Sequence, residues 1–398
     1  MKTTLLFFFS AVFVINSFAQ LSSGNTQFTT QLNTITTAVP FLQIPSDARS
    51  TGMGDVGAAT SPDAYSLHWN TSKLAFSDKK VEVGASYSPW LHQLVDDIHY
   101  LHASGYTKIG SRHAVGASAT YFSLGTVSIS SPTGALIKEF NPNEFEFVGA
   151  YAFRLSKRSA LGINAKYIHS NLTDGITLGT VATKPGKAVA ADVSYSYFNE
   201  DLSLRGYNTS WSLGVNISNL GNKMAYTTSS TQDFIPANLR IGSAYSIKVD
   251  EKHKIAAALD FNKLLVPTSP IRNANGQILS GKSNNVSSTV GLYQSFYDAP
   301  GNVFVNNSGA IVVEKNSRLK EELNEITIGG GLEYQYNNMV TVRGGYFYEH
   351  RAKGDRKYFT FGAGVKYSVV GIDVSYLAAL KRTNPLANTV RFSLNFAI

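Results

Sequence analysis

No cysteine occurs among the 398 residues, so neither a disulfide nor a thiolate metal site holds this fold together. Beyond residue 19 there is no run of 18 consecutive apolar residues, which excludes membrane-spanning helices. Thirty-five basic against 27 acidic residues give a formal charge of +8, but no Lys/Arg block concentrates it. Scattered cations argue against nucleic acid as a partner, and an anionic lipopolysaccharide surface is the expected neighbour. No Gly-x-Ser-x-Gly elbow is present, and no serine stands out from a serine-rich background as a nucleophile. Gly52, Gly54 and Gly57 lie close together, yet neither a parallel strand nor a P-loop lysine accompanies them. We therefore expect no cofactor, no metal and no enzymatic activity.

What is present points to strands in a membrane. The chain carries 23 Phe, 21 Tyr and 33 Gly, a composition suited to twisted strands with aromatic girdles. At the C-terminus Val390, Phe392, Leu394, Phe396 and Ile398 alternate with Arg391, Ser393, Asn395 and Ala397. Successive strand residues face opposite ways, so this segment has one apolar and one polar face. About nine residues of tilted strand cross a bilayer, and outer-membrane barrels close on such a strand. At the other end Lys2 precedes an apolar run over 5–15, and Ser17-Phe18-Ala19 forms a small-x-small cleavage site. Residues 1–19 are expected to be a signal peptide, with the mature chain beginning near Gln20.

Period-2 alternation predicts strands over 81–89, 97–107, 112–124, 144–155, 159–170, 187–198 and 208–218. It continues over 238–248, 253–262, 325–336, 339–349, 357–369, 371–380 and 388–398. Fourteen strands suit a closed antiparallel transmembrane β-barrel, an all-β fold, occupying 81–398. A further alternating stretch, 287–296, would give an odd number and put the Asn337–Asn338 turn on the wrong side. It is therefore assigned to the long loop 263–324, followed by a short helix over 318–325 with Ser317 as N-cap. Connections at 108–111, 156–158, 250–251, 337–338 and residue 370 are short, while 125–143, 171–186, 219–237 and 263–324 are long. Short inner turns and long outer loops are the barrel rule.

The inward faces carry Glu82, Glu146, Asp192, Asp260, Glu333 and Asp373 against Arg154, Lys166, Arg240, Arg343, Lys366 and Arg391. A balanced interior favours internal ion pairs over an ion-selective pore, because buried charges need partners. Fourteen strands enclose more space than their own side chains fill. Residues 20–80, rich in Thr, Ser, Gly and Ala, are expected to occupy it as an N-terminal hatch, with Asp47 and Arg49 pairing to barrel charges. His92, Asp96, Asp97, His99 and His102 form a His/Asp cluster, but its spacing is loose and strand neighbours diverge, so it reads as a solvated loop. The outer loop offers apolar side chains at Val286, Leu292, Tyr293, Phe296 and Tyr297, beside Asp298, as a candidate partner-contact surface.

The stretch 44–57, with Pro45, Asp47, Ala48, Arg49, Gly52, Met53 and Gly54, resembles the opening motif of the PorV/PorQ family. Trp69 and Asn70 continue it, and 260–268, 294–301, 344–349 and 356–360 resemble PorV members specifically. That family, also known as LptO and related to FadL fatty-acid transporters, belongs to the type IX secretion system of Bacteroidota. The resemblance implies an outer-membrane barrel with a hatch, docked on an SprA-like translocon. It further implies that the C-terminal signal domains of secreted cargo are received there and passed to a PorU-like attachment complex at the cell surface. The alternatives are a FadL-like transporter of hydrophobic molecules and a lipid A deacylase. FadL-like hatches often carry Asn-Pro-Ala where this chain has Asn70-Thr71-Ser72, which weakens transfer of the fatty-acid function.

Overall fold

A computed structural model describes residues 32–398 except 93–94, 131–135, 176, 179–180, 228–231, 274, 306–310, 382–383 and 385. The expected signal peptide and residues 20–31 of the expected hatch lie outside the described residues. Fourteen strands close into one antiparallel barrel. They are β1 (Val81–Pro89), β2 (Ile98–Ile109), β3 (His113–Leu124), β4 (Asn143–Arg154), β5 (Ser159–Asn171), β6 (Gly186–Leu204) and β7 (Tyr207–Gly221). The second half comprises β8 (Asn238–Lys248), β9 (His253–Leu264), β10 (Thr327–Tyr336), β11 (Val340–Tyr348), β12 (Lys357–Tyr367), β13 (Val370–Ala379) and β14 (Val390–Ala397). Each strand pairs with its sequence neighbour, and β1 pairs with β14 from Glu82↔Ala397 to Tyr87↔Phe392. Closure leaves no edge, so the backbone groups of every strand are satisfied within the sheet, as a hydrocarbon surrounding demands.

The two faces sort as the alternation predicts. In β14 Phe392, Leu394 and Phe396 are exposed outward, while Arg391 and Ser393 are buried. In β7 Trp211 faces out and Ser212 is buried. All fourteen expected strands are present, with ends shifted by a few residues. The largest shift is in β6, which runs to Leu204 through a register irregularity between Asn199 and Leu202. The stretch 287–296 is not a barrel strand: it holds a helix, α3 (Ser288–Gln294), capped by Ser287. The next helix, α4 (Ser317–Asn324), begins one residue earlier than expected. Its N-cap is Asn316 in a left-handed conformation (φ 62°), not Ser317. Ser317 Oγ instead donates to the Glu314 carbonyl and accepts from the Asn302 amide.

Candidate functional site

Two further helical turns, α1 (Ala48–Thr51) and α2 (Ser66–Trp69), belong to a segment before β1 that is almost wholly buried between residues 38 and 77. Its hydrogen bonds reach β1 (Ser46 with Ser86), β5 (Thr71 with Asn164), β6 (Ser72 with Ser194) and β7 (Ala59 with Ser212). They reach equally β9 (Gly57 with Asp260), β10 (Arg49 with Glu333), β12 (Gly54 with Thr360) and β14 (Ala48 with Ser393). A segment touching all of these lies within the ring they form. It begins at the long-loop side, where Asn33 and Ala38 bond Ala352 and Phe234, and ends at the short-turn side, where Lys108 holds the Ser77 carbonyl.

The recognisable residues of the segment each have a job here. Asp47 caps α1, accepting from the Ser50 amide at 2.8 Å, and its other oxygen accepts from Trp69 Nε1 at 2.6 Å. That pair joins the two halves of the motif. Asp47 was expected to meet a barrel charge, but no cation lies within ion-pair distance of it among the described residues, and burial pushes its carboxyl upward. Arg49 does pair with the barrel, reaching Glu333 at 3.1 Å, and within the segment it holds Asp63 at 2.9 Å. Gly57 and Ala58 both donate to one oxygen of Asp260. Asn70 accepts from the Ser72 amide and donates to the Ala58 carbonyl, closing the segment on itself.

Glycine appears in this motif because backbone meets backbone. A Cβ on Gly54 (φ 77°) would lie 2.6 Å from the Tyr346 carbonyl and 2.7 Å from that of Gly330. The wall answers with its own glycines, since a Cβ on Gly331 or Gly345 would strike Met53 at 2.3 and 2.2 Å. The interior charges pair largely as expected: Lys166 with Asp192 and Glu146, Arg240 with Asp260, and Arg343 with Glu333 and Asp373. Three depart. Arg154 bonds the turn carbonyls of Ser156 and Lys157, Lys366 is exposed, and Arg391 has no acidic partner within ion-pair distance among the described residues.

Above the inner segment, between the long-loop ends of the strands, lies a cavity of about 430 Å³. The connection 265–326 meets the cavity wall at Glu325, and its placement rests on that carboxylate. Glu325 is buried and holds Lys263 at 2.6 Å, Lys353 at 2.9 Å and Thr268 Oγ1 at 2.7 Å. Glu322 and Glu321 bind the backbone amides of Ala299 and Gly301. Sequence alone sets Glu325 where the short helix 318–325 meets the strand 325–336 and does not mark it as a hub.

On the outer side of the same connection Tyr293 is 71% exposed, Tyr297 58% and Phe296 49%. Leu292 is half-buried, and Asp298, expected beside them, is buried. Asp298 accepts from the Thr268 amide and from Gln294 Nε2, both at 3.2 Å. Burial pushes its carboxyl up to about 6. An unfolded carboxyl ionises near 4, so the folded loop holds the proton more tightly. That contribution is present below pH 4 and lost as pH rises through 6. The protection of 265–326 from hydrogen exchange, taken as wild type minus Asp298→Asn, is expected to be larger at pH 4 than at pH 7. A difference that is flat with pH would refute the assignment. In the His/Asp cluster His102 bonds Thr120 inside, His99 bonds Tyr87 outside and Asp97 accepts from Thr126, so these three diverge.

A family model described as type IX secretion system protein PorV matches residues 27–271. Among curated proteins none matches. The toluene transporter TodX of Pseudomonas putida is similar in structure, with 12% identity, a TM-score of 0.50, and coverage of 92% of this chain and 98% of that one. For the Ralstonia pickettii toluene transporter TbuX the values are 13%, 0.48, 88% and 97%. For a Pseudomonas aeruginosa FadL homologue they are 10%, 0.43, 91% and 98%. Such low identities speak to the fold alone, and a fourteen-stranded barrel of this kind fits an outer-membrane protein. The family match spans the buried motif and β1 to β9, more than half of the sequence, and the chain belongs to the PorV family of type IX secretion system proteins.

Proposed function

We propose that this protein receives the C-terminal signal domain of type IX cargo on its outer loops. It does so at an SprA-like translocon and carries the cargo to a PorU-like attachment complex. The observation that carries this function is the exposed aromatic face of Tyr293, Phe296 and Tyr297 on a connection pinned by Glu325. Rigid aromatic side chains are the residues from which interfaces draw most of their energy, and their exposure costs the free protein. Residues 20–80 act as the hatch, and the described part supports this by its bonds to strands all round the barrel. The FadL-like transport alternative draws on the cavity, but Ser77, Lys108 and Tyr106 tie the segment across its short-turn end and work against a passage. The lipid A deacylase alternative has no observation to favour it.

Deleting the protein is expected to abolish surface display of cargo with type IX C-terminal domains. The triple variant Tyr293→Ser, Phe296→Ser, Tyr297→Ser is expected to cut display more than tenfold with barrel abundance unchanged. Interface hot spots are worth about 2 kcal/mol or more each, so three losses exceed that factor. Surface cargo is quantified by immunolabelling of intact cells. Normal display in the deletion strain would remove the secretion function and leave the transporter reading standing.

A further inference from the structure

Lysines and arginines that are scattered along the sequence gather at one end of the fold. The short-turn rim is built from residues 78–80, 108–112, 154–158, 200–205, 248–254 and 366–370, together with the uncharged turn 336–340. These stretches hold twelve basic and five acidic side chains, an excess of seven in a chain whose formal charge is +8. Of the twelve, only Arg158 makes an ion pair among the described residues, with Asp201 at 3.2 Å. Asp250 is taken up by its own turn, where it accepts from the Lys252 and His253 amides. The rim thus carries far more positive charge than its own carboxylates neutralise, although like charges repel.

These cations are not turned toward lipid. Lys108 donates to the Ser77 carbonyl, and the Arg154 guanidinium stands 5.0 Å from the Phe76 ring, so both lean on the inner segment. Lys248, Lys254 and Lys366 share strand faces with Ala244, Ala258 and Gly364, which line the interior. The next residue along a strand points the opposite way. At this rim those residues are Ile109, Leu155, Val249, Ile255 and Tyr367, all exposed. Lipid therefore meets an apolar and aromatic belt, while the charge is turned to the barrel axis and to water. The inner segment ties across this end, so whatever meets the cations lies on the rim. Short turns face the periplasm in a barrel of this kind, and a dense cationic surface there fits an anionic one in solution.

We propose that the short-turn rim is a docking surface for an acidic segment of a soluble periplasmic protein. Lys248, Lys254 and Lys366 hold it from the lumen side, and Arg112, Lys157 and Lys252 from the turns. The proposal goes beyond the cargo-receiving function, which lies at the opposite end of the barrel, and does not depend on it. Charges exposed to water are screened beyond about 8 Å at physiological salt and each contact is weak, so the affinity comes from several cations acting together. The probe is fluorescein-labelled decaglutamate, titrated by fluorescence anisotropy against purified full-length protein in a nonionic detergent at physiological salt.

Saturable binding is expected, weakened tenfold or more when Arg112→Glu, Lys157→Glu, Lys252→Glu and Lys366→Glu are combined, all four side chains being exposed. Reversing as many exposed charges at the long-loop end, with Lys184→Glu, Lys187→Glu, Lys315→Glu and Lys320→Glu, is expected to change it less than twofold. Heat-modifiable gel migration verifies folding, and the pair Lys157→Glu, Lys252→Glu, with a threefold loss expected, remains informative if the combined rim variant fails to fold. In cells, a benzophenone side chain in place of Lys79 is expected to give a protein adduct that the rim variant loses and the long-loop variant keeps. No saturable binding, equal weakening by the two variants, or no such adduct would each overturn the proposal. Fewer anionic lipids retained by the purified rim variant than by the long-loop variant would assign the cations to head groups and overturn it as well. None of these measurements involves cargo display, so their failure leaves that test untouched.

Discussion

Gly54→Ala is expected to lower the folding stability of the barrel in detergent by about 2–5 kcal/mol. A left-handed conformation costs a non-glycine residue about 1–2 kcal/mol, and forcing atoms into a packed interior costs about 1–3 kcal/mol more. The second cost is large here because the atoms in the way are backbone. Tyr346 and Gly330 belong to β11 and β10, whose ladder would have to open to make room. Gly110→Ala isolates the first cost, since its φ is 65° but nothing lies within 4 Å of its Cβ. Urea unfolding followed by tryptophan emission measures both. Equal midpoints for the two variants would show that the close approach of Gly54 to the wall is not what the fold depends on.

The second large effect is expected at Glu325→Gln. The carboxylate holds two lysines that are themselves only 8% exposed, so its loss strands buried ammonium groups. Breaking one partner out of a buried ion pair costs about 3–5 kcal/mol. Glu321 and Glu322 keep one contact each to Lys353 and Lys263 and place the effect at the lower end. Limited proteolysis of folded protein is expected to cut within 265–326 at least tenfold faster, with the barrel itself resistant. Adding Lys263→Met and Lys353→Met to the Glu325 variant is expected to restore much of the resistance, because the stranded charges go. Cleavage no faster than in the wild type would remove Glu325 from the centre of this loop.

The barrel was legible because lipid outside and polar packing inside impose a period of two on every strand. Where that period breaks, the reading stopped short. β6 was cut at residue 198 because its register irregularity disturbs the alternation over 199–202. α3 was legible only as a stretch that could not be a strand, since seven residues show too little of a helical period. Glu325 alternates with Ile326 as a strand residue would, so nothing local marks it as the anchor of the loop. Asp298 was taken for an exposed residue because turns are usually solvated, whereas this turn is folded under α4. Arg391 was legible as an inward cation. Its lack of an acidic partner was not, because that depends on which side chains face it across the closed ring.

The seam between β1 and β14 fixes an order of assembly. The two strands are the first and last of the barrel, so among the strand ladders theirs carries the greatest loop-closure cost and is expected to form last. Residues 38–77 are bonded to walls on every side, and a ring already sealed would have to be threaded to admit them. The strands are therefore expected to wrap around a segment already seated, with Ser393 meeting the Ala48 amide as β14 arrives. The inner segment thus serves as a mandrel for its own barrel. Variants that loosen it are expected to accumulate as unsealed sheets before any mature protein is lost.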